Sequence, residues 1–184
     1  MTRIIAGAAK GRRLAVPGAG TRPTSDRARE GLFNSLAATV RLDGARVLDL
    51  YAGTGALGLE ALSRGARAAV LVEADRRAVE VIRRNVEAVG LPGATVVHAP
   101  VGRFLAGEPD EPYDLVLLDP PYALATAGVL GDVAQLGGGW LAHDALVVVE
   151  RSARSGPLPW SEERITPAGE KRYGETLFCY GRAR

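Results

Sequence analysis

The sequence predicts an α/β fold, a mostly parallel sheet with helices on both faces. Three observations carry that prediction. Short apolar runs at residues 47–50, 69–72, 95–97, 113–118 and 145–149 alternate with stretches of helical periodicity, the pattern of parallel strands joined by crossover helices. Four of the strands carry an acid at or near their carboxyl end: Asp49, Glu73, Asp119 and Glu150. A glycine-rich turn with Gly53, Gly55 and Gly58 follows the first run. Ligands of open parallel sheets bind beyond the carboxyl ends of the strands, so Asp49, Glu73 and Asp119 all fall where a site belongs.

In chain order, residues 1–22 read as a basic N-terminal extension and 23–184 as one domain built on the sheet. Within the extension, Ile4-Ile5 and Leu14-Ala15-Val16 form a small β-hairpin with Lys10, Arg12 and Arg13 at its tip. Residues 17–20, Pro-Gly-Ala-Gly, read as a linker. A helix starts at Ser25, capped by Thr24 or Ser25, with Ala28, Leu32, Leu36 and Val40 on one face. The strand at 47–50 and its glycine turn lead into a helix near Ala56. Asp75 caps the next helix, whose Val79, Ile82, Val86 and Val89 share a face and which stops at Gly90 with Pro92 beyond. A further helix spans about 125–136, and two last strands lie near 164–166 and 176–180.

Composition narrows the function classes. The 184 residues are 47% hydrophobic and 24% charged, ordinary for a globular domain. No segment is long and apolar enough for a bilayer and the start lacks a leader pattern, so a cytoplasmic location is expected. The single cysteine, Cys179, sits in an apolar strand, which fits a reducing compartment and a packing role and argues against cysteine-based attack on a base. His98 and His143 stand far apart, so no metal site is expected. The net charge of +2 divides unevenly. Residues 1–24 hold Arg3, Lys10, Arg12, Arg13 and Arg22 and no acid; the rest sets 18 cations against 21 anions, a net of −3. A basic arm on a mildly acidic body is the footprint of nucleic-acid binding, and equally of a solvated terminus.

Two motifs carry chemistry. Gly53, Gly55 and Gly58 satisfy a Gly-x-Gly-x-x-Gly fingerprint that by itself is weak. A pyrophosphate would be repelled by a carboxylate four residues before Gly53, whereas Asp49 suits a ligand bearing an ammonium, such as S-adenosylmethionine. Glu73 can accept hydrogen bonds from ribose hydroxyls, a role nicotinamide cofactors share. The second motif is Asp119-Pro120-Pro121-Tyr122. The prolines end the strand and stiffen it, fixing a carboxylate, carbonyls without competing amides, and a ring. Such a turn can accept both hydrogens of an exocyclic amine while the ring stacks on the plane that bears it.

With these motifs the chain resembles the class I S-adenosylmethionine-dependent methyltransferases. More narrowly it resembles the RsmD-type enzymes, which methylate the guanine N2 amine of 16S ribosomal RNA. The residues that carry the narrower likeness are Arg3-Ile4-Ile5-Ala6-Gly7, Gly11-Arg12-Arg13-Leu14, Arg22-Pro23-Thr24-Ser25-Asp26-Arg27-Ala28-Arg29-Glu30 with Leu32-Phe33-Asn34, and Tyr173-Gly174-Glu175-Thr176. The resemblance implies a Rossmann-like, seven-stranded sheet whose last two strands are antiparallel. It implies S-adenosylmethionine as cofactor, S-adenosylhomocysteine as product, and a monomer acting on ribosomal RNA within a small-subunit particle. Thr24, Asp49, Gly53, Gly55, Glu73 and Ala99 would hold the cofactor; Asp119, Pro120, Pro121 and Tyr122 would hold the base; Arg3, Lys10, Arg12, Arg13 and Arg22 would meet RNA. One departure is His98-Ala99-Pro100, which lacks the acid many class I enzymes place near the adenine and leaves backbone groups to serve it. Adenine-N6 methylation, a redox protein holding a dinucleotide, and a nucleic-acid-binding module without catalysis stand as the alternatives.

Overall fold

A computed structural model describes residues 2–16, 25–161 and 164–184. The linker at 17–20, Arg22 and Thr24 lie outside the described residues. A two-stranded antiparallel ribbon, β1 (Thr2–Arg3) and β2 (Arg13–Leu14), precedes helix α1 (Asp26–Ala37). Then follow β3 (Arg46–Leu50), α2 (Ala56–Ser63), β4 (Ala68–Glu73), α3 (Arg76–Val89) and β5 (Ala94–His98). The chain continues through α4 (Val101–Leu105), β6 (Tyr113–Leu118), α5 (Thr126–Leu136), β7 (Leu141–Ser152), β8 (Ile165–Tyr173) and β9 (Thr176–Ala183). The seven-stranded sheet has the order β5-β4-β3-β6-β7-β9-β8. Its first five strands run parallel, and β9 pairs antiparallel with both β7 and β8. This is the mostly parallel seven-stranded sheet expected from the sequence, with the last two strands antiparallel to each other and β9 alone reversed.

Strand alternation decides which side chains meet which helices. Val47 and Asp49 of β3 face one way, beside Leu71 of β4 and Leu117 of β6 in register. That face is covered by Leu32, Phe33 and Leu36 of α1, Leu59 and Ala61 of α2, and Ile82 and Val89 of α3. Leu48 and Leu50 face the other way, under Val101 and Leu105 of α4 and Val129, Val133 and Leu136 of α5. Each such side chain, fully buried, contributes roughly 1.5–3 kcal/mol. Asp49 is thus a carboxylate placed by parity on an otherwise apolar layer.

The helix signals hold locally. Ser25 caps α1 by accepting the Ala28 amide (3.1 Å), and Asp75 caps α3 by accepting that of Ala78 (2.9 Å). Gly90 ends α3 in the left-handed conformation, φ 62°. Three elements differ from the sequence reading. The five-residue α4 is too short to show periodicity. β8 runs to Tyr173 rather than stopping near Thr166, because Pro167, Gly169 and the charges after it are tolerated on an edge strand that bulges between Pro167 and Gly169. The ribbon pairs at Thr2↔Leu14 and Arg3↔Arg13, one step away from the apolar residues, because Ile4, Ala9 and Leu14 are drawn into the core instead. Among the described residues, no helix is long and apolar enough to cross a membrane.

Candidate functional site

The exits of β4, β3 and β6 lie side by side, and the backbone stitches them together. The Asp119 amide donates to the Leu50 carbonyl (3.3 Å) and that of Ala52 to Val72 (3.0 Å). Tyr51, just past β3, adopts φ 61°, a left-handed conformation rare for a bulky residue. Gly53 (φ 57°) and Gly55 (φ 77°) continue the turn, and Gly55 becomes the N-cap of α2. The three glycines have different reasons, and at Gly55 a β-carbon would come within 3.1 Å of Leu71 and 3.2 Å of Ile82, so it packs against the core. A β-carbon on Gly58 would come within 2.9 Å of Leu71 and 3.1 Å of the Asp49 carboxylate, so this glycine lets α2 press onto the sheet. At Gly53 it would meet nothing nearer than 3.9 Å, so the turn is open on that side. Open backbone at a positive φ is what close approach by a ligand requires.

The carboxylates brace this turn. Glu73 accepts the amides of Gly53 and Asp75, both at 2.9 Å, and Asp49 accepts that of Gly58 at 2.8 Å. Asp49 is 1% exposed. Burial pushes its carboxyl well above the usual carboxylate range; the Gly58 amide pulls it back, and the nearby charges of Asp119 and Glu73 push it further up. The three acids therefore feel one another. Among the described residues no three His, Cys, Asp or Glu side chains form a group that could hold a metal ion. A crowded set of carboxylates beside an open glycine turn favours a cationic organic ligand, and a sulfonium bearing an ammonium and a ribose fits that donor set. In the second motif, the Pro121 carbonyl accepts the Leu124 amide (2.9 Å), closing a tight turn that projects Tyr122, which is 73% exposed. Asp119 and Pro120 are half-buried beneath it.

The remaining sequence-derived residues divide. Ala99 lies beside Glu73, but its amide donates to the Glu73 carbonyl (3.0 Å), so only its carbonyl can face an adenine. Lys10 and Arg13 are exposed. Arg3 is also exposed but reaches Asp26 at 3.7 Å. Arg12 is committed structurally: its guanidinium donates to the Ala88 and Val89 carbonyls, capping the C-terminus of α3. Its expected role as a phosphate contact therefore has to share a side chain already engaged. Nor do the described residues of the arm stand apart from the domain. The amides of Ile5 and Ala6 donate to the Glu60 carboxylate (2.8 and 3.0 Å), and those of Ala8 and Ala9 to Ser63 (2.7 and 2.9 Å). Glu60 is itself fully buried and paired with Arg64 at 2.8 Å.

Sequence reasoning missed two partnerships near the site. Tyr51 donates its hydroxyl to Asp132 on α5, pinning the strained residue. Burial, then that bond, raises the Tyr51 pKa, while burial raises that of Asp132 against the bond's opposing pull. Eighty-one positions separate them, and no local pattern links them. Arg29 of α1 is buried beneath the ribbon, where burial lowers its pKa while Asp26 and Glu60 oppose the shift. A cavity of about 480 Å³ between Pro157, Trp160, Pro167 and Cys179 lies on the β8–β9 end of the sheet, away from these groups.

Comparison with known proteins places this geometry. A family model described as "Conserved hypothetical protein 95" matches residues 2–182. Ribosomal RNA small subunit methyltransferase D of Escherichia coli K12 is 42% identical over 178 residues, covering 93% of this chain and 87% of its own. The solved structure of yhhF from Escherichia coli superposes with a TM-score of 0.86 at 36% identity, covering 99% of this chain and 97% of the other. SMU.776, solved complexed with SAH, shares the fold alone, at a TM-score of 0.68 and 14% identity over 84% of this chain and 49% of that one.

Proposed function

The chain belongs to the RsmD family of ribosomal RNA methyltransferases, and from that premise we propose that it transfers a methyl group from S-adenosylmethionine to the exocyclic N2 amine of a guanine in 16S ribosomal RNA. The observation that carries the reading is the meeting of Asp49, Glu73 and Asp119 around an open glycine turn, with an exposed tyrosine on the proline-stiffened turn beside it. Bound there, S-adenosylmethionine supplies a methyl group already activated on a sulfonium. The chain's own residues do the rest. Gly53 admits the ligand close to backbone where the turn is open, and Glu73, with lone pairs beyond those its two amides use, accepts ribose hydroxyls. Asp49, almost wholly buried, accepts the Gly58 amide and holds the turn from beneath. The Ala99 carbonyl completes the cofactor's surroundings.

Asp119 and the Pro120 carbonyl accept the two amine hydrogens. A guanine amine is planar because its lone pair is delocalised; holding both hydrogens to one side favours a pyramidal nitrogen with the lone pair free. Tyr122 stacks on the extruded base. Positioning of this kind lowers a barrier by roughly 7–11 kcal/mol. Asp119 need not be a strong base, since the nitrogen can release its proton after transfer.

The test is incubation of small ribosomal subunits with methyl-labelled cofactor, followed by nucleoside mapping. Label in N2-methylguanosine is expected. Label in N6-methyladenosine would reassign the base, and cofactor binding without any label would leave a binding module. A second measurement isolates the cofactor site. Glu73→Ala removes charge-assisted hydrogen bonds worth about 1.5–3 kcal/mol, so calorimetry should show S-adenosylmethionine affinity falling by roughly one to two decades. Unchanged affinity takes Glu73 out of the site.

A further inference from the structure

We propose that the flank of α3 facing the N-terminal ribbon forms, with the ribbon's own cations, a basic ridge that holds the phosphate backbone of the substrate RNA. This rests on the ribosomal RNA reading above. The exposed charged residues of α3 are Arg76, Arg77, Glu80, Arg83, Arg84 and Glu87. At 3.6 residues per turn they sort into two flanks. Arg76, Glu80, Arg83 and Glu87 recur at spacings of four, three and four and share one, where the signs alternate and Arg76 meets Glu80 at 3.8 Å. That is how a solvated helix face is built. Arg77 and Arg84 lie on the other, about 10 Å apart along the axis; Glu80, three residues after the first and four before the second, stands at the boundary and is paired with Arg76.

The hydrogen bonds fix where this second flank points. Asn85, adjacent to Arg84 and buried, holds Ala15 by both atoms of its amide, accepting at 2.7 Å and donating at 3.0 Å. Arg12 reaches across to the Ala88 and Val89 carbonyls on the same side. The chain around the ribbon therefore lies on this side of α3, and Lys10 and Arg13 are exposed on it. Among the described residues none of the side chains of Lys10, Arg13, Arg77 and Arg84 makes an ion pair. Four exposed cations outside any ion pair, two on the ribbon and two on the helix side next to it, are a phosphate-binding pattern. The ridge also leads to the chemistry. Asn85 donates to the Thr54 carbonyl at 2.8 Å, so the same side chain that seats the ribbon touches the glycine turn.

The test uses point substitutions, because deleting the arm would also strip the partners of Glu60. Binding of a 16S ribosomal RNA transcript is titrated by filter retention across several salt concentrations for wild type, Arg77→Glu/Arg84→Glu and Arg76→Glu/Arg83→Glu, with S-adenosylmethionine affinity measured by calorimetry on each. The Arg77/Arg84 variant should bind weaker and with a shallower salt dependence, by about 0.7 in log–log slope for each phosphate no longer neutralised. The Arg76/Arg83 variant should weaken clearly less, and cofactor affinity should hold in both. Equal weakening from the two flanks would reduce the effect to net charge and overturn the ridge. So would curves for the Arg77/Arg84 variant that superimpose on wild type, or a wild type that does not retain the transcript at low salt. None of those results touches the methyl-transfer assignment, which the nucleoside mapping decides separately.

Discussion

Replacing Asp119 by alanine is expected to lower single-turnover methyl transfer by about 10²–10³ while leaving S-adenosylmethionine affinity near wild type. The magnitude is that of removing one preorganised hydrogen-bonding group from a reacting centre. The selectivity follows from position. Asp119 stands beyond β6 on the turn that carries Tyr122, whereas the groups assigned to the cofactor stand on the β3 and β4 exits. The backbone link from Asp119 to Leu50 is made by its amide and survives the substitution. Asp119→Asn keeps a carbonyl oxygen that can accept one amine hydrogen, so it should retain more activity than alanine. Rapid-quench measurement with saturating cofactor separates the chemical step from binding. A single-turnover rate within a few-fold of wild type in the alanine variant would remove Asp119 from the reacting centre.

The sheet is legible in the sequence because its signal is repetitive. Apolar strands buried on both faces leave unbroken runs, and the acids at their ends interrupt those runs at just the level where parallel strands expose their carboxyl termini. Asp49, Glu73 and Asp119 can be grouped on that ground without any distance between them. What is not legible is pairwise and distant. Tyr51 and Asp132 read separately as an aromatic after a strand and an acid in a helix. Glu60 reads as an ordinary helical acid, and only the fold shows that it is fully buried. The attachment of the arm is hidden for a related reason. Charge in residues 1–24 is visible at once, but the backbone amides that tie Ile5, Ala6, Ala8 and Ala9 to α2 leave no trace in composition. Gly7 is the one local clue, since a β-carbon there would sit 1.7 Å from the Ser63 carbonyl oxygen.

Glu60→Ala is therefore expected to destabilise the protein by about 3–5 kcal/mol, the range for removing one partner of a buried ion pair. Three donors depend on this carboxylate: the Ile5 and Ala6 amides and the Arg64 guanidinium. Alanine leaves all three without this acceptor at a largely buried site. It also removes a charge that opposes the burial-induced loss of proton affinity at Arg29. Against a total stability of about 5–15 kcal/mol the loss is large, and it should lower the melting temperature by on the order of 10 °C. The damage should begin at the ribbon, where the Ile5 and Ala6 amides lose their acceptor while the ties to Ser63, Asn85 and the end of α3 remain. Trypsin cleavage after Lys10, Arg12 or Arg13 should accelerate in the variant under native conditions. Glu60→Gln keeps one acceptor oxygen but turns an amide donor toward the others, so it should recover only a minor part of the loss. Urea unfolding of the three proteins, with proteolysis in parallel, gives the answer. An alanine variant within about 0.5 kcal/mol of wild type, with the ribbon no more readily cleaved, would show that Glu60 does not hold the arm in place.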